Sequence, residues 1–253
     1  MERLIEFLRS WNPHQPSFPP TLLYNEGWLL RLVLDWTARN RTAGSALSPA
    51  AGATWFSEAL LPSRFLPRDR GDPLAESHTH ADGVVGQIAV GQAGLTDLQL
   101  APQATQLVVL EAKLGSKLSA GTKNAPGYDQ AARTVACMAE VLRRADRPAT
   151  EFSALGFYVL APQAQIAAGV FAAAMRCESI GRKVERRVQA YEGLHDAWFD
   201  EWFRPLLATI EIEVLSWERV LADVTEQSPA AGDSLTAFYE RCLRLSQAAA
   251  GKA

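Results

Sequence analysis

Three polar residues in the middle of the chain are of the types that catalyse metal-assisted hydrolysis. Asp97 is followed 14 residues later by the triplet Glu111-Ala112-Lys113. A pair of carboxylates supplies the oxygen ligands that a hard cation such as Mg²⁺ prefers. A lysine beside them can orient or help deprotonate a water, or stabilise negative charge developing on a phosphate. These residues are therefore the first candidates for a site.

The pattern of residues 95–113 predicts a β-hairpin that brings these candidates together. Polar and apolar residues alternate on both sides of a proline-containing turn at residues 101–104. A turn centred at residue 103 or 104 places Asp97 on the same face as Glu111, and Lys113 shares that face because it lies two residues further along the strand. We therefore expect Asp97, Glu111 and Lys113 to converge on one patch.

The rest of the chain predicts helices around a sheet. Helices are expected over residues 21–40 and 126–144, and strands over residues 78–91 and 153–162 on either side of the predicted hairpin. This order predicts an α/β fold, a three-layer α/β/α sandwich with an αβββαβ core and a mixed sheet, followed by C-terminal helical additions. Other expected elements are listed here: helices over residues 2–11, 54–61, 163–176, 178–191, 194–207 and 233–249, and an edge strand over residues 209–217.

Composition limits the classes of protein that fit. The 253 residues are 48 % hydrophobic, which is enough for a single domain with its core at about 21–165 and a helical extension at about 163–253. A formal net charge of −3 excludes a bulk polycation, so any nucleic-acid binding must come from local basic segments such as residues 113–147 and 176–187.

The three cysteines are widely spaced, which favours reduced thiols and a cytoplasmic protein. No membrane span or signal segment is expected.

With these elements in place, the chain resembles the PD-(D/E)XK nuclease superfamily, which has the restriction-endonuclease-like fold. The resemblance rests on an acidic residue in the second strand (Asp97), E-x-K in the third (Glu111 and Lys113), a glutamate on the first helix (Glu26) and a glutamine on the next helix (Gln130). It implies hydrolysis of phosphodiester bonds in DNA, with RNA as an alternative, in repair, restriction or defence. Many enzymes of this superfamily are dimers, so a homodimer is a further expectation.

The resemblance also implies a role for each matching residue. Asp97, Glu111 and the backbone carbonyl of Ala112 would hold Mg²⁺ or Mn²⁺, and Lys113 would position or activate the attacking water. Glu26 would bind a metal-bound water or a second metal. Gln130 would hold Lys113 or a phosphate.

Other interpretations of the same residues remain open. The same fold without chemistry would be a nucleic-acid or protein interaction module. His78, His80 and Asp82 lie two residues apart on a predicted strand and could bind zinc, which predicts a zinc hydrolase instead. Asp82 alone, at the start of the first predicted strand, could reach the same cleft as Asp97.

Overall fold

The computed structural model describes residues 17–40, 46–91, 94 and 97–250. The predicted helix over residues 2–11 lies outside the described residues. None of the described helices is both long enough and apolar enough to span a membrane.

The elements of the first half follow one another in this order: a 3₁₀ turn (Pro20–Leu22), α1 (Glu26–Asn40), β1 (Thr54–Leu61), β2 (Thr79–Gly86), β3 (Ile88–Val90), β4 (Leu98–Leu100), β5 (Gln106–Ala112), β6 (Gly121–Thr122), β7 (Ala125–Pro126) and α2 (Gln130–Arg144). The second half continues with a 3₁₀ turn (Ala149–Glu151), β8 (Ala154–Ala161), α3 (Gln163–Ala167), α4 (Cys177–Gln189), α5 (Asp196–Trp198), a π-helical turn (Phe199–Phe203), α6 (Arg204–Thr209), β9 (Glu211–Ser216), α7 (Trp217–Gln227) and α8 (Pro229–Ala250).

A mixed five-stranded sheet in the order β1-β2-β5-β8-β9 forms the middle layer. β1, β2 and β5 are antiparallel neighbours, whereas β8 and β9 continue the sheet in parallel from β5. One face packs against α2 and α4, and the other against α1, α7 and α8. The predicted three-layer α/β sandwich with a mixed sheet and C-terminal helical additions is therefore confirmed.

α1 packs closely on the sheet because its apolar residues recur at helical spacing. Leu30 and Leu34 lie one turn apart and are both buried. They cross β2 at Gly83, where an added Cβ would lie 3.0 Å from Leu30 and 3.1 Å from Leu34. A side chain at this position would therefore require both leucines to shift by a few tenths of an ångström.

Two predictions about the strands are wrong. Residues 54–61 form β1 rather than a helix, and Glu58 within this strand has a positive φ of 57°. The hairpin over residues 95–113 does not form, because β4 pairs with β3 while both edges of β5 are occupied by β2 and β8. β3 and β4 are therefore an insertion between two neighbouring strands of the main sheet.

Gln87 connects this insertion to the main sheet. Its side-chain oxygen accepts hydrogen bonds from the backbone N–H groups of Thr105 and Gln106, at 3.0 and 2.9 Å. Its backbone oxygen accepts a third from Ala101, at 2.9 Å. After β2 the chain forms the β3–β4 ladder, and it then returns to the end of β2, where β5 begins.

Candidate active site

Glu111 and Lys113 meet at the C-terminal end of β5. Leu107 and Val109 of this strand face α2, and by the two-residue period of a strand Glu111 faces the same way. The Glu111 side chain is only 5 % exposed and the Lys113 side chain 12 % exposed. Lys113 Nζ lies 2.6 Å from Glu111 Oε1, so the two form a largely desolvated ion pair.

The second carboxylate of the site comes from β2, not from the predicted hairpin. The ladder between β2 and β5 pairs Gly83 with Leu110, and its next position places Asp82 opposite Glu111. The paired backbone ends at this point, and Asp82 Oδ2 instead accepts a 2.7 Å hydrogen bond from the backbone N–H of Ala112. The backbone N–H and C=O of a strand residue point to the same side, so the Ala112 carbonyl also faces Asp82.

Gln130 connects the start of α2 to Glu111. Its side-chain Nε2 donates to Glu111 Oε1, while its side-chain oxygen accepts from the backbone N–H of Ser119 at 3.2 Å. Asp129 caps the helix by accepting from the backbone N–H of Ala132, so α2 begins at Gln130 rather than at the predicted residue 126. The cap and the loop together aim the amide of Gln130 at the carboxylate.

The electrostatics of Glu111 are those of a carboxyl without enough positive charge around it. Burial is the largest cause that raises its pKa to about 7, and the neighbouring Asp82 carboxyl raises it further by repulsion and by a hydrogen bond to Glu111. Lys113 opposes both effects but does not overcome them. Glu111 therefore gains and loses its proton near neutral pH, and a cation bound beside it would relieve the repulsion from Asp82.

The backbone of Lys113 is held from two directions. Its N–H donates to the Leu160 carbonyl at the end of β8, at 2.8 Å. Its carbonyl accepts a 2.9 Å hydrogen bond from the indole N–H of Trp217, which is completely buried at the start of α7. This second contact makes Trp217 a supporting residue that sequence reasoning missed, and no local pattern in the sequence indicates it.

Asp97 lies away from this site, so the prediction that it faces Glu111 is wrong. It forms an isolated bridge with Leu60 of β1, whose other side pairs with His80 of β2. Asp97 is therefore three strand positions from β5, about 14 Å at the usual spacing between strands. Its carboxylate accepts from the Gly94 backbone and from Gln99.

Glu26 lies on the opposite side of the sheet from Gln130. It is the first residue of α1. Burial raises the pKa of the nearby Cys242 thiol, and the negative charge of Glu26 raises it further. Among the described residues it makes no hydrogen bond or ion pair with Glu111 or Lys113. The structure thus brings together Glu111, Lys113 and Gln130, but does not join Glu26 or Asp97 to them.

The donor set of the site fits a hard divalent cation. Asp82 and Glu111 supply two mutually repelling carboxylates, and the Ala112 carbonyl supplies a third oxygen on the same side. Within the described ranges, no group of three or more His, Cys, Asp and Glu side chains is placed to hold a metal ion. His78 lines a cavity beside Asp97, not the cleft of Asp82, so the structure gives the zinc interpretation no support.

Comparison with protein-family models, with curated proteins and with solved structures finds no significant match for this chain.

Proposed function

We propose that this protein is a metal-dependent nuclease that hydrolyses phosphodiester bonds of DNA, with RNA as the alternative substrate. The observation that carries the proposal is the register between β2 and β5, which places Asp82 opposite Glu111 with Lys113 in contact. The order α1-β1-β2-β5-α2-β8 also supports it, since it is the αβββαβ order of the PD-(D/E)XK superfamily that the sequence resembles. In this proposal Asp82 takes the role that the sequence suggested for Asp97.

Each residue of the cleft has a distinct role in this mechanism. Asp82, Glu111 and the Ala112 carbonyl would hold Mg²⁺ or Mn²⁺. Such a cation polarises the scissile phosphate and lowers the pKa of the attacking water. Lys113 would hold that water by a hydrogen bond and place positive charge beside the phosphate. Gln130 fixes the orientation of the Glu111 carboxylate, which it contacts directly.

The proposal is tested by a cleavage assay with matched aspartate variants. Wild type, Lys113→Ala, Asp82→Asn and Asp97→Asn are incubated with supercoiled plasmid, linear duplex, single-stranded DNA and RNA, in Mg²⁺, Mn²⁺ or EDTA. We expect metal-dependent cleavage by wild type and by Asp97→Asn. Lys113→Ala and Asp82→Asn should lose at least about 100-fold in rate, as is usual when a group acting on the reacting atoms is removed. Circular dichroism checks that all four proteins are folded.

Other outcomes of the assay decide against the proposal. Cleavage that survives in both Lys113→Ala and Asp82→Asn would mean that the activity lies elsewhere. Loss of cleavage in Asp97→Asn, with activity kept in Asp82→Asn, would return the role to Asp97. If wild type binds nucleic acid but never cuts it, the chain is a binding module that retains the nuclease-like arrangement without its chemistry.

A further inference from the structure

A line of contacts leads from the candidate active site to α4. Gln130, which holds Glu111, is preceded by Asp129, the capping residue of α2. Asp129 Oδ2 lies 2.5 Å from Lys183 Nζ on α4. Gln130 and Asp129 are neighbours in sequence, so Lys183 lies on the order of 10 Å from Glu111. α4 therefore lies beside the start of α2, next to the residue that contacts Glu111.

Basic residues outnumber acidic residues on α4. Arg186 lies four residues after Arg182 and three after Lys183, so all three are near one another on the helix surface. Glu185 lies three residues after Arg182, but its carboxylate pairs with Arg204 of α6, at 3.8 Å. The flank with Arg182, Lys183 and Arg186, here named the basic flank, also has Glu178 one turn before Arg182, but no ion pair joins these two residues.

The basic flank has positive charges that the protein itself does not neutralise. Arg182 and Arg186 are exposed, and neither has an ion-pair partner among the described residues. By contrast, the exposed Arg39 and Arg244 are both paired with an acid of their own helix. Other exposed cations, such as Arg70, Lys117 and Arg219, also have no ion pair among the described residues, so Arg182 and Arg186 are distinguished by their position beside the start of α2.

A groove runs along the same flank. It has a volume of about 230 Å³ and lies between α4 and the loop that leads into α2. Lys183 and Arg186 line one wall, and Pro126 and Gly127 line the other. A Cβ added at Gly127 would meet nothing within 4 Å, so the backbone at this wall is open to approach.

We infer that the basic flank and its groove bind the sugar-phosphate backbone of the nucleic acid whose scissile phosphate lies in the cleft. This inference rests on the proposed function. The guanidinium group pairs with phosphate through two parallel hydrogen bonds, so Arg182 and Arg186 suit this partner. The contacts are to the backbone, so binding is independent of base sequence.

The test measures how binding depends on salt. Fluorescence anisotropy of labelled 20-nucleotide single-stranded and duplex DNA is followed from low to high salt in the Glu111→Gln background, which prevents cleavage. Arg182→Gln/Arg186→Gln is compared with Arg39→Gln/Arg244→Gln, which removes the same charge from helices on the opposite face of the sheet. Each lost phosphate contact lowers the slope of log K against log salt by about 0.7 for a single strand and 0.9 for a duplex.

We expect the basic-flank variant to lose about 1.4 in slope for a single strand or about 1.8 for a duplex, and to bind at least about tenfold more weakly at 0.1 M salt. The control variant should keep the slope of its parent. With wild-type Glu111 and Mg²⁺, the basic-flank variant should show a raised KM and a nearly unchanged kcat.

Equal slopes for the two double variants would overturn the inference. If wild type still cleaves in Mg²⁺ in that case, the proposed function stands and only the path of the substrate is wrong. If wild type neither binds nor cleaves any of the nucleic acids, the inference and the proposed function fail together.

Discussion

Replacing Glu111 with glutamine should stabilise the folded protein at alkaline pH, although it removes a residue of the candidate site. Glutamine has nearly the shape of a protonated glutamate and can still hydrogen-bond within the cleft. The buried Glu111 carboxyl has its pKa raised to about 7, first by burial and then by the charge of Asp82. Ionising it in the folded state therefore costs free energy that glutamine does not incur.

The magnitude follows from the pKa difference between the folded and unfolded states. A rise from the ordinary value of 4.5 to about 7 corresponds to about 3 kcal/mol at 1.36 kcal/mol per pH unit. Because the folded-state pKa of Glu111 is raised, the stability linked to its proton is complete below about pH 4.5. It is lost between about pH 4.5 and 7 and stays lost above that. Glu111→Gln should thus be stabilising by only about 1 kcal/mol at pH 5 and by about 3 kcal/mol at pH 8.

Urea unfolding of wild type and Glu111→Gln at pH 5, 6, 7 and 8, without divalent metal, measures this difference. Glu140→Gln is a matched control, since Glu140 is equally buried. Burial alone would raise the pKa of Glu140, but hydrogen bonds from Arg143 and Arg144 lower it overall. Its contribution to stability is therefore present at neutral pH and lost as the pH falls through its lowered pKa, so Glu140→Gln should destabilise the protein at pH 8.

The reasoning is refuted if Glu111→Gln is less stable than wild type at pH 8, or if the difference between the two does not change with pH. Either result would mean that Lys113 and Gln130 compensate fully for the burial of the charge. If a divalent cation occupies the cleft, adding Mg²⁺ at pH 8 should raise the melting temperature of wild type more than that of Glu111→Gln.

Three further predictions concern the support of the site and the sheet. Trp217→Phe removes the partly buried hydrogen bond to the Lys113 carbonyl, so urea unfolding should show a loss of about 1–3 kcal/mol in the free energy of unfolding and the cleavage rate should fall. In Gly86→Ala the new Cβ would overlap the Gln106 carbonyl oxygen on the neighbouring strand, so thermal unfolding should show a severely destabilised protein. A thiol reagent should modify Cys177 alone in the folded protein and all three cysteines in urea, because the other two are buried.

The part of the site that depends on local geometry could be predicted from the sequence. Glu111 and Lys113 share a face because strand residues two apart always do, and the structure keeps them in contact. Gln130 was placed correctly near the start of a helix, because the apolar pattern after it has helical spacing. Neither inference needed to know which strands are neighbours.

The choice between Asp97 and Asp82 could not be made from the sequence in the same way. It depends on which strand pairs with β5, and alternation in β4 is the same whether its partner is β3 or β5. The prediction assumed that strands adjacent in sequence are adjacent in the sheet. Because β3 and β4 pair with each other, the acid beside Glu111 comes from before the insertion.

The strand at residues 54–61 was missed for a related reason. Its polar residues do not alternate strictly with apolar ones, and Glu58 interrupts the extended backbone with a positive φ. β1 is held by pairing with β2 over nearly its whole length, from Thr54 to Leu61. Tertiary pairing of this kind overrides local preference, and it is invisible without the partner.

The hydrogen bond from Trp217 to Lys113 has a consequence for the order in which the protein matures. The two residues are 104 positions apart, and Trp217 belongs to the C-terminal helical part of the chain. A ribosome that has released only the first four strands of the main sheet has exposed every charged group of the cleft, but not the indole that anchors the lysine backbone. The candidate site therefore gains this hydrogen bond only late in synthesis, and a chain that stops before α7 would carry Glu111 and Lys113 without it.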